Sequence, residues 1–129
     1  MVFRICDQYY PYPEKVVSSE EALRHELVHL LRKTPGRAVQ LVSARGDILD
    51  ITLDQRIASV QFTNHTMQPP YLMPINEEAP SDKYHEFDVG GTPTPVSLRH
   101  CIKPEKALEI AVYFFHHGTI PNDVQWEEV

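Results

Sequence analysis

The chain has only two cysteines, five glycines and one tryptophan, and it has neither a long apolar run nor an excess of positive charge. Each scarcity removes a class of protein. Cys6 and Cys101 are far apart and form no C-x-x-C, so buried, reduced thiols are expected in place of a disulfide framework. No apolar stretch approaches the ~20 residues that cross a bilayer. Met1 to Asp7 lacks the basic and then apolar pattern of an export signal, so a cytoplasmic protein without membrane contact is expected. Against 18 Asp and Glu there are 12 Lys and Arg, a net charge of -6. Proteins that grip phosphate backbones need cations, so direct nucleic-acid binding is not expected and a basic protein partner suits the charge better. The Gly90-Gly91-Thr92 string lacks a following G-K-[ST] and precedes no helix, which makes it a turn or bulge and not a phosphate loop.

What remains describes one domain over residues 1–129, long enough to bury a core without metal or cross-links. Val2 to Cys6 reads as a first strand, followed by a break at Tyr9-Tyr10-Pro11-Tyr12-Pro13. Ser18-Ser19-Glu20-Glu21 offers a capping box for a helix from Ser19 to Lys33, stopped by Thr34-Pro35-Gly36. Leu23, Leu27, Leu30 and Leu31 share one arc of that helix. Residues 38–42, 48–53 and 57–62 alternate and are rich in β-branched side chains; Arg45-Gly46-Asp47 and Asp54-Gln55-Arg56 join them into an antiparallel meander. From Pro69 to Pro95 the chain carries six of its eleven prolines and reads as irregular, with Tyr71-Leu72-Met73 and Tyr84-His85-Glu86-Phe87 as edge strands. Residues 96–102 alternate again. A second helix runs from Pro104 to His117, with proline at its first position and Gly118 past its end. The expected fold is α+β: a mostly antiparallel sheet of about five to seven strands with two main helices.

His25-Glu26-Leu27-Val28-His29 is a literal H-E-x-x-H on a helix, the spacing that places two imidazoles on zinc with a glutamate as base. Here both histidines lie opposite the leucine arc and face solvent, and no third histidine follows at the extended spacing. A solvated helix face is the reading adopted, and a small zinc hydrolase on His25 and His29 is the enzymatic alternative. His116-His117 sits at the negative end of a helix dipole, which accounts for both without a metal. In His100-Cys101 adjacent strand residues point to opposite faces, so they cannot easily share an ion, and Cys101 is the simpler core residue. No cofactor and no catalytic residue are expected.

Acidic residues gather in two places: Glu77, Glu78, Asp82, Glu86 and Asp88 in the proline-rich segment, and Asp123, Glu127 and Glu128 in the tail. Tyr84 lies within the first group, whose mixture of aromatic anchor and negative charge suits a protein interface. Glu77, Glu78, Asp82, Tyr84, Glu86 and Asp88 are therefore the candidate partner-binding residues. The extended Gly91-Thr92-Pro93-Thr94-Pro95 beside them is stiff, which lowers the entropy lost on binding.

Toward the end of the chain a helix closing in Phe114-Phe115 is followed by Gly118, Pro121 and Trp126-Glu127-Glu128-Val129. Together with Gly90-Gly91-Thr92-Pro93-Thr94-Pro95-Val96, this pattern resembles the first-numbered immunity family (Imm type one) of bacterial polymorphic-toxin systems, most specifically over Lys103 to Val129. The resemblance implies an immunity protein that binds a cognate toxin domain, of the kind paired with cytosine deaminases acting on nucleic acid, and occludes its active site or basic substrate cleft. It also implies that Trp126 docks on the core. An adaptor or regulatory subunit without a toxin partner is the other alternative.

Overall fold

The architecture is a computed structural model describing residues 1–6, 13–31, 37–54, 56–89 and 91–129, with the backbone alone for Leu30, Leu31 and Arg37. The break at Tyr9-Tyr10-Pro11-Tyr12, the stop at Thr34-Pro35-Gly36, Lys33, Gln55, Gly90 and the side chains of Leu30 and Leu31 lie outside these residues. In chain order the elements are β1 (Val2–Cys6), β2 (Glu14–Val16), α1 (Glu20–Leu31), β3 (Arg37–Val42), β4 (Ile48–Asp54), β5 (Ile57–Thr63) and β6 (Tyr71–Pro74). There follow β7 (Tyr84–Val89), β8 (Thr92–Ser97), a 3-10 turn (Leu98–His100), β9 (Cys101–Ile102), α2 (Pro104–His117) and β10 (Trp126–Glu128). The main sheet runs β10-β6-β5-β4-β3-β1-β2, with β9 on the same side of β5 as β6; β7 and β8 form a separate ribbon. The strand pairings among the described residues are all antiparallel, and the fold is α+β with the β3-β4-β5 meander at its centre.

Strand alternation gives the sheet two faces. Phe3, Val39, Leu41, Leu49, Ile51, Val60 and Phe62 belong to one core with Leu23 and Leu27 of α1 and Ala107, Ile110, Ala111 and Phe114 of α2. Full burial of each large side chain contributes on the order of 1.5–3 kcal/mol. Phe62 and Phe114 meet edge to face with ring centroids 6.3 Å apart, the arrangement in which a positive ring edge meets a negative face. The helices begin and end for local reasons. Ser19, not Ser18, caps α1: its hydroxyl accepts the Ala22 N–H at 3.1 Å, so Ala22 holds the position a capping-box glutamate would need. Pro104 opens α2, and Gly118 closes it at φ 69°, giving its N–H to the Phe114 carbonyl. His116, at the end of α2, pairs with Glu20 at the start of α1 at 2.7 Å and so ties the helices together.

On the opposite face the register draws rows straight across the strands, and two of them lie side by side next to an apolar row of Val16, Val2, Val42, Ile48 and Thr63. One is polar: Glu14, Arg4, Gln40, Asp50 and Gln61 stand opposite one another from β2 to β5. The other is small: Cys6, Ala38, Thr52, Ser59 and Cys101 run from β1 to β9. The ribbon packs over this face, with β7 against β3 and β4. Phe87 is buried there, and His85 Nε2 lies 2.9 Å from Asp54 Oδ2.

Several elements differ from the sequence expectation. The proline-rich stretch holds three strands, and β6 is not an edge because β10 pairs along its free side. Trp126 packs against the core and donates its indole N–H to the Pro121 carbonyl at 3.1 Å, as a docked tail requires. The single strand expected over 96–102 is split by the 3-10 turn, where the Ser97 hydroxyl accepts the Arg99 N–H at 3.3 Å. In β8, Pro93 and Pro95 stand opposite Asp88 and Glu86. Proline has no N–H for a ladder, so it fits where the backbone groups point away from the paired strand.

Candidate partner-binding site

The alternation of β7 decides what the ribbon shows to solvent. His85, Phe87 and Val89 turn toward the sheet; Tyr84, Glu86 and Asp88 are exposed, Tyr84 at 64%. Pro93 and Pro95 face them across the ribbon and stiffen its outer surface. Asp88 also shapes the turn, since its carboxylate accepts the Gly91 N–H at 2.7 Å where Gly91 takes φ 87°. The other candidates, Glu77, Glu78 and Asp82, are exposed on the connection 75–83. That connection is anchored at several points. Asn76 donates its N–H to the Arg99 carbonyl at 2.6 Å, Ser97 donates its hydroxyl to the Ser81 carbonyl at 3.0 Å, and Leu98 donates to the Lys83 carbonyl at 2.8 Å. The structure thus places three candidates on the ribbon and three on a connection tied to the 98–100 turn, all solvent-facing.

The second acidic group has a different part. Glu127 is not free for a partner: its carboxylate takes Arg99 at 3.0–3.3 Å and lies 2.7 Å from His100 Nε2. Hydrogen bonds from Arg99 and His100 hold its carboxyl down at about 2. The same pairing, with a smaller push from Glu77, holds Arg99 above its ordinary range.

The H-E-x-x-H histidines are exposed, with rings stacked 6.4 Å apart, and Glu26 is taken by Lys15 at 2.8 Å. Among the described residues no group of three His, Cys, Asp or Glu side chains is gathered as metal ligands would be. His100 is engaged by Glu127, and Cys101 is buried with its sulfur toward the Val96 and Ser97 carbonyls. Cys6 and Cys101 stand at the two ends of the small row, four strand spacings or about 19 Å apart, well beyond the reach of a disulfide. Burial pushes both thiols up to about 11.

Beneath the ribbon lies a cleft of about 670 Å³, which strand alternation alone did not reveal. Gln40, Asp50 and Gln61 of the polar row line it together with apolar Met73, Phe87 and Val96. Arg4 donates to the Gln40 amide oxygen at 2.8 Å, and Gln40 donates to Asp50 Oδ1 at 2.8 Å. Burial pushes the Asp50 carboxyl above its ordinary range, against the opposing pull of Gln40 and Arg4. Each of these polar residues looks, in sequence, like an ordinary outward strand position. The signal for the site is the cross-strand register, which local alternation does not carry.

Among curated proteins no match to the chain is found. The sequence model of one family, described as Immunity protein Imm1, matches residues 14–128, which span every element from β2 to β10. The chain therefore belongs to the Immunity protein Imm1 family, and its role is toxin immunity.

Proposed function

We propose that the protein binds a cognate toxin domain in the cytoplasm and inhibits it by occlusion, with no catalytic step of its own. The observation that carries this reading is the outer face of the ribbon, where exposed Tyr84, Glu86 and Asp88 stand on a surface that Phe87 and the His85–Asp54 pair pin to the sheet. A pre-positioned surface loses little conformational entropy on docking, and its negative charge complements a basic substrate cleft. The net charge of -6 acts in the same direction over longer range. The resemblance over Lys103 to Val129 favours a cytosine deaminase acting on nucleic acid as the toxin, with acidic side chains lying where phosphates would go.

Co-expression with the toxin domain encoded beside this gene tests the reading. Growth should be rescued, and the two proteins should co-elute as a stable complex. Glu77→Lys, Glu78→Lys and Glu86→Lys should each slow association, by roughly two- to tenfold at low salt and less at high salt, because rim charges act chiefly on encounter. Tyr84→Ala should raise the off-rate. Absence of rescue and of a complex would overturn inhibition by binding; unchanged association in the three reversal variants would move the interface elsewhere.

A further inference from the structure

The cleft under the ribbon has chemistry that the exposed acidic surface does not supply. On its floor Asp50 uses one carboxylate oxygen to accept from Gln40; among the described residues nothing donates to the other. Directly opposite on the neighbouring strand, Gln61 faces the same space, and its amide has no hydrogen-bond partner among the described residues. Opposed residues on adjacent strands have Cβ atoms about 5 Å apart, so the two acceptors lie within the span of one planar donor group. The basic side chains nearby are committed: Arg4 to Glu14 and Gln40, and His100 to Glu127. Apolar walls at Phe87, Met73 and Val96 complete a slot with an anionic, acceptor-rich floor.

Building on the reading that this chain docks a protein, we propose that the cleft receives an arginine side chain presented on a loop of that partner. The guanidinium spans the free oxygen of Asp50 and the amide oxygen of Gln61, while the aliphatic stem lies along Phe87 and Val96. Arginine fits better than lysine, because a rigid fork of donors satisfies two acceptors at once and a planar cation packs against an aromatic ring. A volume of about 670 Å³ leaves room for the backbone of the loop tip as well as the side chain. Arrival of a cation also offsets the cost of keeping the Asp50 carboxylate charged in a buried place.

The test uses the full chain, labelled for nuclear magnetic resonance, and capped amino acids as probes. N-acetyl-arginine-N′-methylamide should produce saturable shifts in the Gln40 and Gln61 side-chain amides. The lysine analogue should bind several-fold more weakly and the norleucine analogue not at all. Asp50→Asn, which keeps an acceptor for Gln40, should weaken arginine binding roughly tenfold, the loss of one charge-assisted hydrogen bond. Gln61→Ala removes an amide the fold does not use and should weaken it by less. No saturable shift at these amides, an equal response to the lysine or norleucine probe, or undiminished affinity in folded Asp50→Asn and Gln61→Ala proteins would overturn the proposal. No toxin is needed, so failure here leaves toxin inhibition standing, and failed rescue alongside intact arginine binding would strike only the inhibition reading.

Discussion

Glu127 on β10 and His100 in the 3-10 turn lie 2.7 Å apart, carboxylate to imidazole, and the same carboxylate also takes the Arg99 guanidinium. This cluster fastens the last strand to the segment that leads into α2. Because the folded Glu127 carboxyl titrates at about 2, below its ordinary 4.5, its contribution is complete above pH 4.5 and disappears as pH falls through 2. Glu127→Gln should loosen β10, seen as faster exchange of the amides paired between β6 and β10 and a red-shifted Trp126 emission. The wild type should show the same loosening on acidification between pH 4.5 and 2, a step missing from the variant. Equal acid profiles would show that the cluster does not hold the tail.

Asp47 has a side chain with no solvent exposure and joins two loops. It accepts the His65 N–H at 2.6 Å and the Arg45 guanidinium at 2.6 and 3.0 Å. Burial raises its carboxyl, but these donors outweigh burial and leave it below the ordinary 3.8. Its contribution is therefore present above that value and declines in stronger acid. Asp47→Ala should cost about 2 kcal/mol in urea unfolding, since it leaves the His65 N–H and the Arg45 guanidinium without the carboxylate they share. Protection from hydrogen exchange should fall first in the loop 64–68, and a neutral substitution would remove Asp47 as its anchor.

Phe114 is fully buried where α2 meets β5. Phe114→Ala should lower stability by about 3–5 kcal/mol, from lost transfer energy and the cavity left beside Phe62. Phe114→Leu should cost less. Denaturant midpoints decide this, and a loss under 1 kcal/mol for the alanine variant would contradict the packing described.

The two thiols give a chemical test. At about 11, each has a thiolate fraction of roughly one in a thousand at pH 8, so alkylation of the native protein should be slow until it unfolds. Reducing agent should leave the melting temperature unchanged, because the pair is too far apart to bridge. Cys101 is buried and Cys6, against the sequence expectation, only half-buried, so Cys6 should label first; rapid labelling of Cys101 under native conditions would contradict its burial.

The helices and the meander were legible because their signals are local: Pro104 and Gly118 bracket α2, and alternation marks β3, β4 and β5. The exposed face of β7 was legible for the same reason, with Tyr84, Glu86 and Asp88 separated by His85 and Phe87. Elements set by tertiary contacts were not. β10 is three residues long, two of them acidic, and its place depends on Arg99 and His100 meeting Glu127 from 28 and 27 positions away, respectively. β8 was hidden by its own prolines, which are admissible only on a ribbon with a free side. The cleft was illegible because Asp50 and Gln61 become neighbours only once register is fixed, and a slip of one residue would send both to the helix side.

The prolines of β8 have one more effect. A second polypeptide approaching the rim of the ribbon at Pro93 and Pro95 would meet acceptor groups with no amide hydrogen to answer its own carbonyls. Growth of the ribbon by intermolecular strand addition is thereby blocked where this strand is most exposed, and the surface proposed for partner binding stays discrete when many copies crowd together.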